Sequence, residues 1–107
     1  MKTLKKSHEY RRVIEGGKRE ILETIVVHRL PNQEEETRIG ISVSRRLGNS
    51  VERNRTKRRI REAIRKNASF LPLGEDVVIT PRGGFLGADF ASIENDIRRI
   101  GENKDHA

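Results

Sequence analysis

The sequence predicts a two-layer α/β (α+β) sandwich: a small mixed sheet covered by helices, in the order α-β-β-α-β-α. Three observations carry that prediction. Three segments repeat apolar residues at helical spacing, three others are β-branched or alternate with period two, and Gly, Pro and Asn mark the boundaries between them. A chain of 107 residues can bury one core, so residues 1–107 are expected to form a single domain.

The first helix is expected to start at Ser7 as N-cap and to stop at Gly16-Gly17, where glycine can take a left-handed conformation. Tyr10, Val13 and Ile14 form its apolar stripe at i, i+3, i+4. Residues 22–30 (LETIVVHRL) read as a strand, Pro31-Asn32-Gln33 as a turn, and Glu34 to Glu36 as an acidic loop. Residues 38–44 alternate, with Ile39, Ile41 and Val43 on one face, and predict a half-buried strand antiparallel to the one before it.

Gly48-Asn49-Ser50 breaks that strand, and Asn49 or Ser50 caps a helix running to about Asn67. After the connector 70–74, residues 76–80 (DVVIT) read as a buried strand. Residues 81–87 form a glycine-rich loop, and Asp89 caps a last helix whose core stripe is Phe90, Ile93, Ile97 and Ile100. The tail beyond Gly101 is polar and expected to fray. A strand-helix-strand unit over 38–80 lies in the middle, for which a right-handed crossover is the general expectation.

Charge is where the sequence speaks of function. Between Arg45 and Lys66 stand ten Lys/Arg and only two acids, a surplus of +8 in a chain whose total is +7. The charge is therefore one patch on an otherwise balanced protein, the footprint of a polyanion binder. Placed at about 100° per residue, the window sorts into faces. Thr56, Ile60, Ala63, Ile64 and Asn67 share the side expected to meet the sheet. Arg55, Arg58, Arg61 and Arg65 share the opposite half with Asn54, and Lys57, Arg59 and Lys66 lie on the flanks. Arg53 points toward the apolar stripe, where a buried guanidinium is costly. It is expected in a cleft at the sheet edge that admits an anion or a base.

A solvated helix laced with salt bridges does not account for this window, because Glu52 and Glu62 cannot pair ten cations. Like charges three and four apart each cost about a few tenths of a kcal/mol, a repulsion that a bound polyanion relieves. Arginine outnumbers lysine here and offers a planar fork for phosphates and bases. Membrane or calmodulin binding needs a large free apolar face, which this helix lacks.

The run Arg38-Ile39-Gly40-Ile41-Ser42-Val43-Ser44-Arg45-Arg46, followed by Gly48-Asn49-Ser50-Val51-Glu52-Arg53-Asn54-Arg55-Thr56-Lys57-Arg58-Arg59-Ile60-Arg61-Glu62, strongly resembles the protein subunit of bacterial ribonuclease P. The likeness extends more loosely from Leu4 to about Ile100. It implies an auxiliary subunit of a ribonucleoprotein endoribonuclease, one that assists a catalytic RNA in removing the 5′ leader from precursor tRNA. Its implied partners are ribonuclease P RNA and precursor tRNA, with no membrane. The resemblance also implies Mg2+ held mainly by the RNA, no catalytic or metal-binding residue on the protein, and a left-handed crossover in place of the usual right-handed one.

By the same resemblance, the RNA-binding residues are Arg53, Asn54, Arg55, Lys57, Arg58 and Arg61. Arg45, Arg46 and Arg65 join them on charge and position. The leader-binding cleft maps to Tyr10, Ile14, Val26 and His28. Members of the family often carry aromatics there to stack on unpaired bases. Here only Tyr10 is aromatic, so leader recognition is expected to lean more on charge.

No constellation for protein-borne catalysis is visible. His8, His28 and His106 are scattered, Ser42 and Ser44 have no partner histidine, and adjacent carboxylates at Glu34 to Glu36 read as a solvated turn. The loop Pro81-Arg82-Gly83-Gly84 lacks the Lys-Ser/Thr of a phosphate loop, though Arg82 remains a candidate for the RNA backbone. Two rival binders share the charge pattern: a ribosomal protein, which would show no preference for a 5′ leader, and a nonspecific DNA-binding protein, which would bind duplex DNA as well as RNA. The absence of cysteine excludes disulfides and thiolate zinc sites and fits a cytoplasmic location. The basic start, Met1 to Lys6, is followed by no apolar segment, which argues against a signal peptide.

Overall fold

A computed structural model describes residues 2–102. Five strands, β1 (Lys2–Thr3), β2 (Lys18–Ile21), β3 (Ile25–Pro31), β4 (Arg38–Ile41) and β5 (Glu75–Pro81), form one mixed sheet in the order β1-β4-β5-β3-β2. The helices are α1 (Ser7–Gly16), α2 (Ser50–Lys66) and α3 (Phe90–Glu102). The expected mixed sheet and three helices are present, with two short strands added at the sheet's edges. His106 and the end of the polar tail lie outside the described residues.

Alternation divides the sheet between two cores. Ile25, Val27, Ile39, Val77 and Ile79 face α2 and α3, and with Ile60, Ala63, Ile64, Ile93, Ile97 and Ile100 they build the main core. Val78 points to the other face, where it joins Leu4 and Val13 under α1. The predicted stripes of α2 and α3 are therefore the buried ones, except that Phe90 at the start of α3 is only half-buried against the core. Asn67, at the end of α2, is buried and binds three ways. Its amide donates to Ala63 O at 2.8 Å and to Glu94 Oε2 at 3.0 Å, and its oxygen accepts from Arg98 Nε at 2.8 Å.

The expected strand over 22–30 is instead a hairpin turning at Leu22–Thr24. No Gly or Pro marks that turn. It is held by tertiary contact, since Thr24 donates from both N and Oγ1 to Asp96 Oδ2 of α3, each at 2.6 Å. β4 runs antiparallel in direction to β3 but does not pair with it. β5 lies between them, parallel to β4 and antiparallel to β3, and so satisfies both ladders. Pairing set by the later strand overrides the simple hairpin that sequence order suggests.

Two helix ends also differ from expectation. Ser7 is already helical, and Glu9 satisfies the free end of α1 by accepting the backbone N–H groups of Lys5 and Lys6, each at 2.9 Å. Gly17 is extended, not left-handed. Its role is close approach: a Cβ there would stand 2.5 Å from Val13 O and 2.6 Å from Arg29 O. At the head of α2 the expected cap is present, with Asn49 Oδ1 accepting from Glu52 N and Glu52 Oε1 accepting from Asn49 N, both at 2.9 Å.

Candidate nucleic-acid interface

Helix α2 presents its cations as the 3.6-residue period requires. Thr56, Ile60, Ala63 and Ile64 are buried against the core, while Asn54, Arg55, Arg58, Arg61 and Arg65 are exposed. Arg65 pairs with Glu62, the one acid on that side. Arg45 and Arg46 are exposed in a 3-10 turn just ahead of α2, where Ser44 Oγ accepts from Arg46 N.

Not all cations of the window face solvent. Arg59 donates to Ala88 O at 2.6 Å and lies over the Phe85 ring, 5.5 Å from its centroid. Lys66 sits 5.3 Å from the Phe90 centroid. Arg59 thus ties α2 to the segment before α3, while Lys66 stays exposed beside the Phe90 ring. Lys57 lies on the other flank, beside β4. Arg53 is half-buried and donates to Gly48 O at 2.7 Å, which ties the first turn of α2 to the loop before it. Arg82 is similarly engaged with Leu22 O at 2.9 Å.

The second expected surface is the sheet face beneath α1. Val26 and His28 alternate onto that face and are half-buried, paired with Ile21 and Arg19 of the edge strand β2. Ile14 of α1 is 40% exposed and Ile21 56% exposed, which leaves an apolar surface beside the helix. Tyr10 is half-buried, with its hydroxyl 3.3 Å from Leu4 O. His28 is held below the ordinary histidine range by burial first and by Arg19 second. Both effects favour its neutral form, and its buried Nδ1 has no hydrogen-bond partner among the described residues. The four proposed cleft residues thus share one side of the sheet.

A cluster that composition alone did not reveal locks α1 over this face. The Asp76 carboxylate is buried and takes Arg12 Nη2 at 2.6 Å, Arg38 Nη2 at 2.6 Å and Nε at 2.8 Å, and Asn32 Nδ2 at 3.0 Å. Arg38 also reaches Glu9 Oε2 of α1 at 3.0 Å. Burial pushes the Asp76 carboxyl up. The hydrogen bonds from Arg38, Asn32 and Arg12 outweigh it and hold the group below the usual aspartate value. The sequence signal was an acid opening an apolar strand, which must find partners when buried.

Glu36 pairs with Lys2 at 3.7 Å, and among the described residues no group of three His, Cys, Asp or Glu is placed to hold a metal ion. No described helix is long and apolar enough to cross a membrane.

A family model described as Ribonuclease P matches residues 1–104. The ribonuclease P protein component of Caldanaerobacter subterraneus subsp. tengcongensis is 40% identical over 97 residues, covering 91% of this chain and 84% of that protein. The corresponding protein of Petrotoga mobilis is 39% identical over 101 residues, covering 91% and 86%. Among solved structures, the RNase P protein of Staphylococcus aureus superposes with a TM-score of 0.83 at 28% identity, covering 98% of this chain and 96% of that one. The protein from Thermotoga maritima gives 0.81 at 30% identity, covering 94% and 98%. The chain belongs to the ribonuclease P protein family, the protein component of the ribonucleoprotein that processes the 5′ end of tRNA.

Proposed function

Starting from that membership, we propose that the two surfaces divide the work of the auxiliary subunit: α2 binds the catalytic RNA, and the sheet face beside α1 binds the single-stranded 5′ leader of precursor tRNA. One observation carries this reading. Asn54, Arg55, Arg58, Arg61 and Arg65 stand exposed along one helix with Glu62 as the only acid among them, a row spanning roughly 15 Å at 1.5 Å per residue. Such a row matches successive phosphates, and its self-repulsion is relieved when phosphates arrive. Arg45 and Arg46 extend it beyond the N-terminus of α2, and Lys57 and Arg53 border it.

On the leader side, Tyr10, Ile14, Val26 and His28 offer an apolar surface on which unpaired bases can stack, with Arg19 at its rim for phosphate. The acids of the chain do not gather into a metal site among the described residues, and Asp76 is already consumed by two arginines. In this reading magnesium is held mainly by the RNA, as membership of the family implies. What the protein contributes is positive charge that lowers the repulsion between RNA and leader, and so favours productive metal binding there. The setting is the cytoplasm. The β4–α2–β5 connection is taken as left-handed, as in the family.

The test is cleavage of precursor tRNA by a bacterial ribonuclease P RNA at low magnesium, with and without this protein. Protein-dependent cleavage at the mature 5′ end, absent with protein alone, supports the reading. No stimulation with any of several compatible RNAs would move the chain to the class of general RNA binders.

A further inference from the structure

Between α2 and the edge of the sheet runs a groove of 590 Å³ that lies between the two surfaces above and shares Tyr10, Lys57 and Arg61 with them. Its floor is Ile39, Ile41 and Ile64, Tyr10 closes one end, and Lys57 and Arg61 stand on its rim. Its size falls within the about 300–1,000 Å³ typical of small-molecule sites. Lys57 and Arg61 have no carboxylate partner among the described residues, so the rim carries uncompensated positive charge.

The groove exists because β1 is short. β1 pairs only with Arg38 and Ile39, and the chain then turns away into α1. Leu4 N donates to Ile39 O and Ser42 N to Ile79 O, both at 2.9 Å. Backbone groups alternate along a strand, so the N–H and C=O of Ile41, between those two positions, point to the edge that β1 has left. The Leu4 carbonyl, which would come next on that side, accepts the Tyr10 hydroxyl instead at 3.3 Å. The groove therefore offers an apolar floor, one backbone donor, one backbone acceptor and a cationic rim.

We propose that this groove receives a single unstacked nucleobase of RNA, held flat against the isoleucines, read by the Ile41 backbone, and flanked by phosphates on Lys57 and Arg61. An apolar ligand would have no use for that rim, and a bare phosphate would have none for that floor. A nucleotide uses both. The inference rests on the RNA-binding reading of α2 and adds to it a base contact beside the phosphate contacts. The base is supplied either by the catalytic RNA or by the precursor's leader, and the experiment separates the two.

The chain has no cysteine, so one introduced thiol is unique. Ala68 is exposed and lines the groove; Val51, 73% exposed on α2, serves as a control. Ala68→Cys and Val51→Cys, each carrying an azidophenacyl photocrosslinker, are assembled with ribonuclease P RNA and precursor tRNA, and the crosslinks are mapped by primer extension. The expected result is one unpaired base crosslinked from position 68 and not from 51. A base in the catalytic RNA or one in the leader identifies the source. In parallel, Ala68→Trp should plug the groove and weaken RNA affinity by about 5- to 150-fold, the range of one lost base stack. It should leave the salt slope unchanged. Crosslinks from position 68 confined to paired backbone, or none, in a holoenzyme that still cleaves at the mature 5′ end, would overturn the groove proposal alone. Loss of cleavage with unmodified protein would instead overturn the functional reading beneath it.

Discussion

The ring of Tyr10 closes on the backbone of Gly40 so tightly that a Cβ at residue 40 would stand 2.5 Å from Tyr10 Cε2. Helix α1 is seated on β4 through that contact, and Tyr10 stands where the leader face and the groove at the sheet edge meet. Gly40→Ala should force the ring aside at a cost of about 1–3 kcal/mol, the usual range for overpacking. Denaturant melts would show the loss, and leader affinity should fall with it. A variant of unchanged stability and affinity would show that Tyr10 does not depend on Gly40.

Asp76 joins α1, β4 and the 32–36 turn through Arg12, Arg38 and Asn32. Asp76→Ala leaves two guanidinium groups facing an emptied site, and a cost of about 3–5 kcal/mol is expected. The pH dependence has a definite sign. The folded-state value lies below the unfolded 3.8, so the unfolded chain binds a proton first as pH falls. The carboxylate's contribution is thus fully present above the unfolded value and is lost as pH falls through the folded one. Urea midpoints between pH 6 and pH 2 should show an acid loss in the parent that is reduced in Asp76→Asn.

Neighbouring arginines of α2 should behave as opposites. Arg58 is exposed, whereas Arg59 is bound to Ala88 O and stacked on Phe85. Arg58→Ala should weaken RNA binding and reduce the slope of log affinity against log salt by about 0.7–0.9, one phosphate contact. Arg59→Ala should lower stability by about 1–3 kcal/mol and leave that slope alone. Filter binding across a salt series, with thermal melts of both variants, reads the two effects apart.

Asn49 fixes where the cationic helix begins, through its reciprocal bonds with Glu52. Asn49→Ala should cost about 0.5–2 kcal/mol. It should also increase hydrogen exchange at the first turn of α2, around Arg53. Amide exchange confined to its parent rate there would argue that Arg53 and Gly48 alone hold the turn.

How much of this was legible beforehand depends on which force decides each element. The faces of α2 and α3 follow from composition and a 3.6-residue period, because a helix buries whatever stripe its own residues supply. The basic row on α2 and the Asn49 cap are local in the same sense. The strand hairpin at 18–31 was not legible, since its turn carries no turn residues and depends on Asp96, which comes from α3 far along the chain. The placement of β5 between β3 and β4 was hidden for the same reason, as pairing partners are chosen by the whole sheet.

The sequence by itself determined that one face of one helix is a dense row of arginines, the feature on which the proposed RNA contact rests. Only the tertiary structure decided which cations remain free. It engages Arg53, Arg59 and Arg82 with backbone carbonyls and draws Arg12 and Arg38 onto a buried aspartate, because a guanidinium near low-dielectric surroundings must find an acceptor. The same packing ends β1 two residues into β4 and opens the groove beside Ile41. Local periodicity cannot carry that information, since it arises from where distant segments meet.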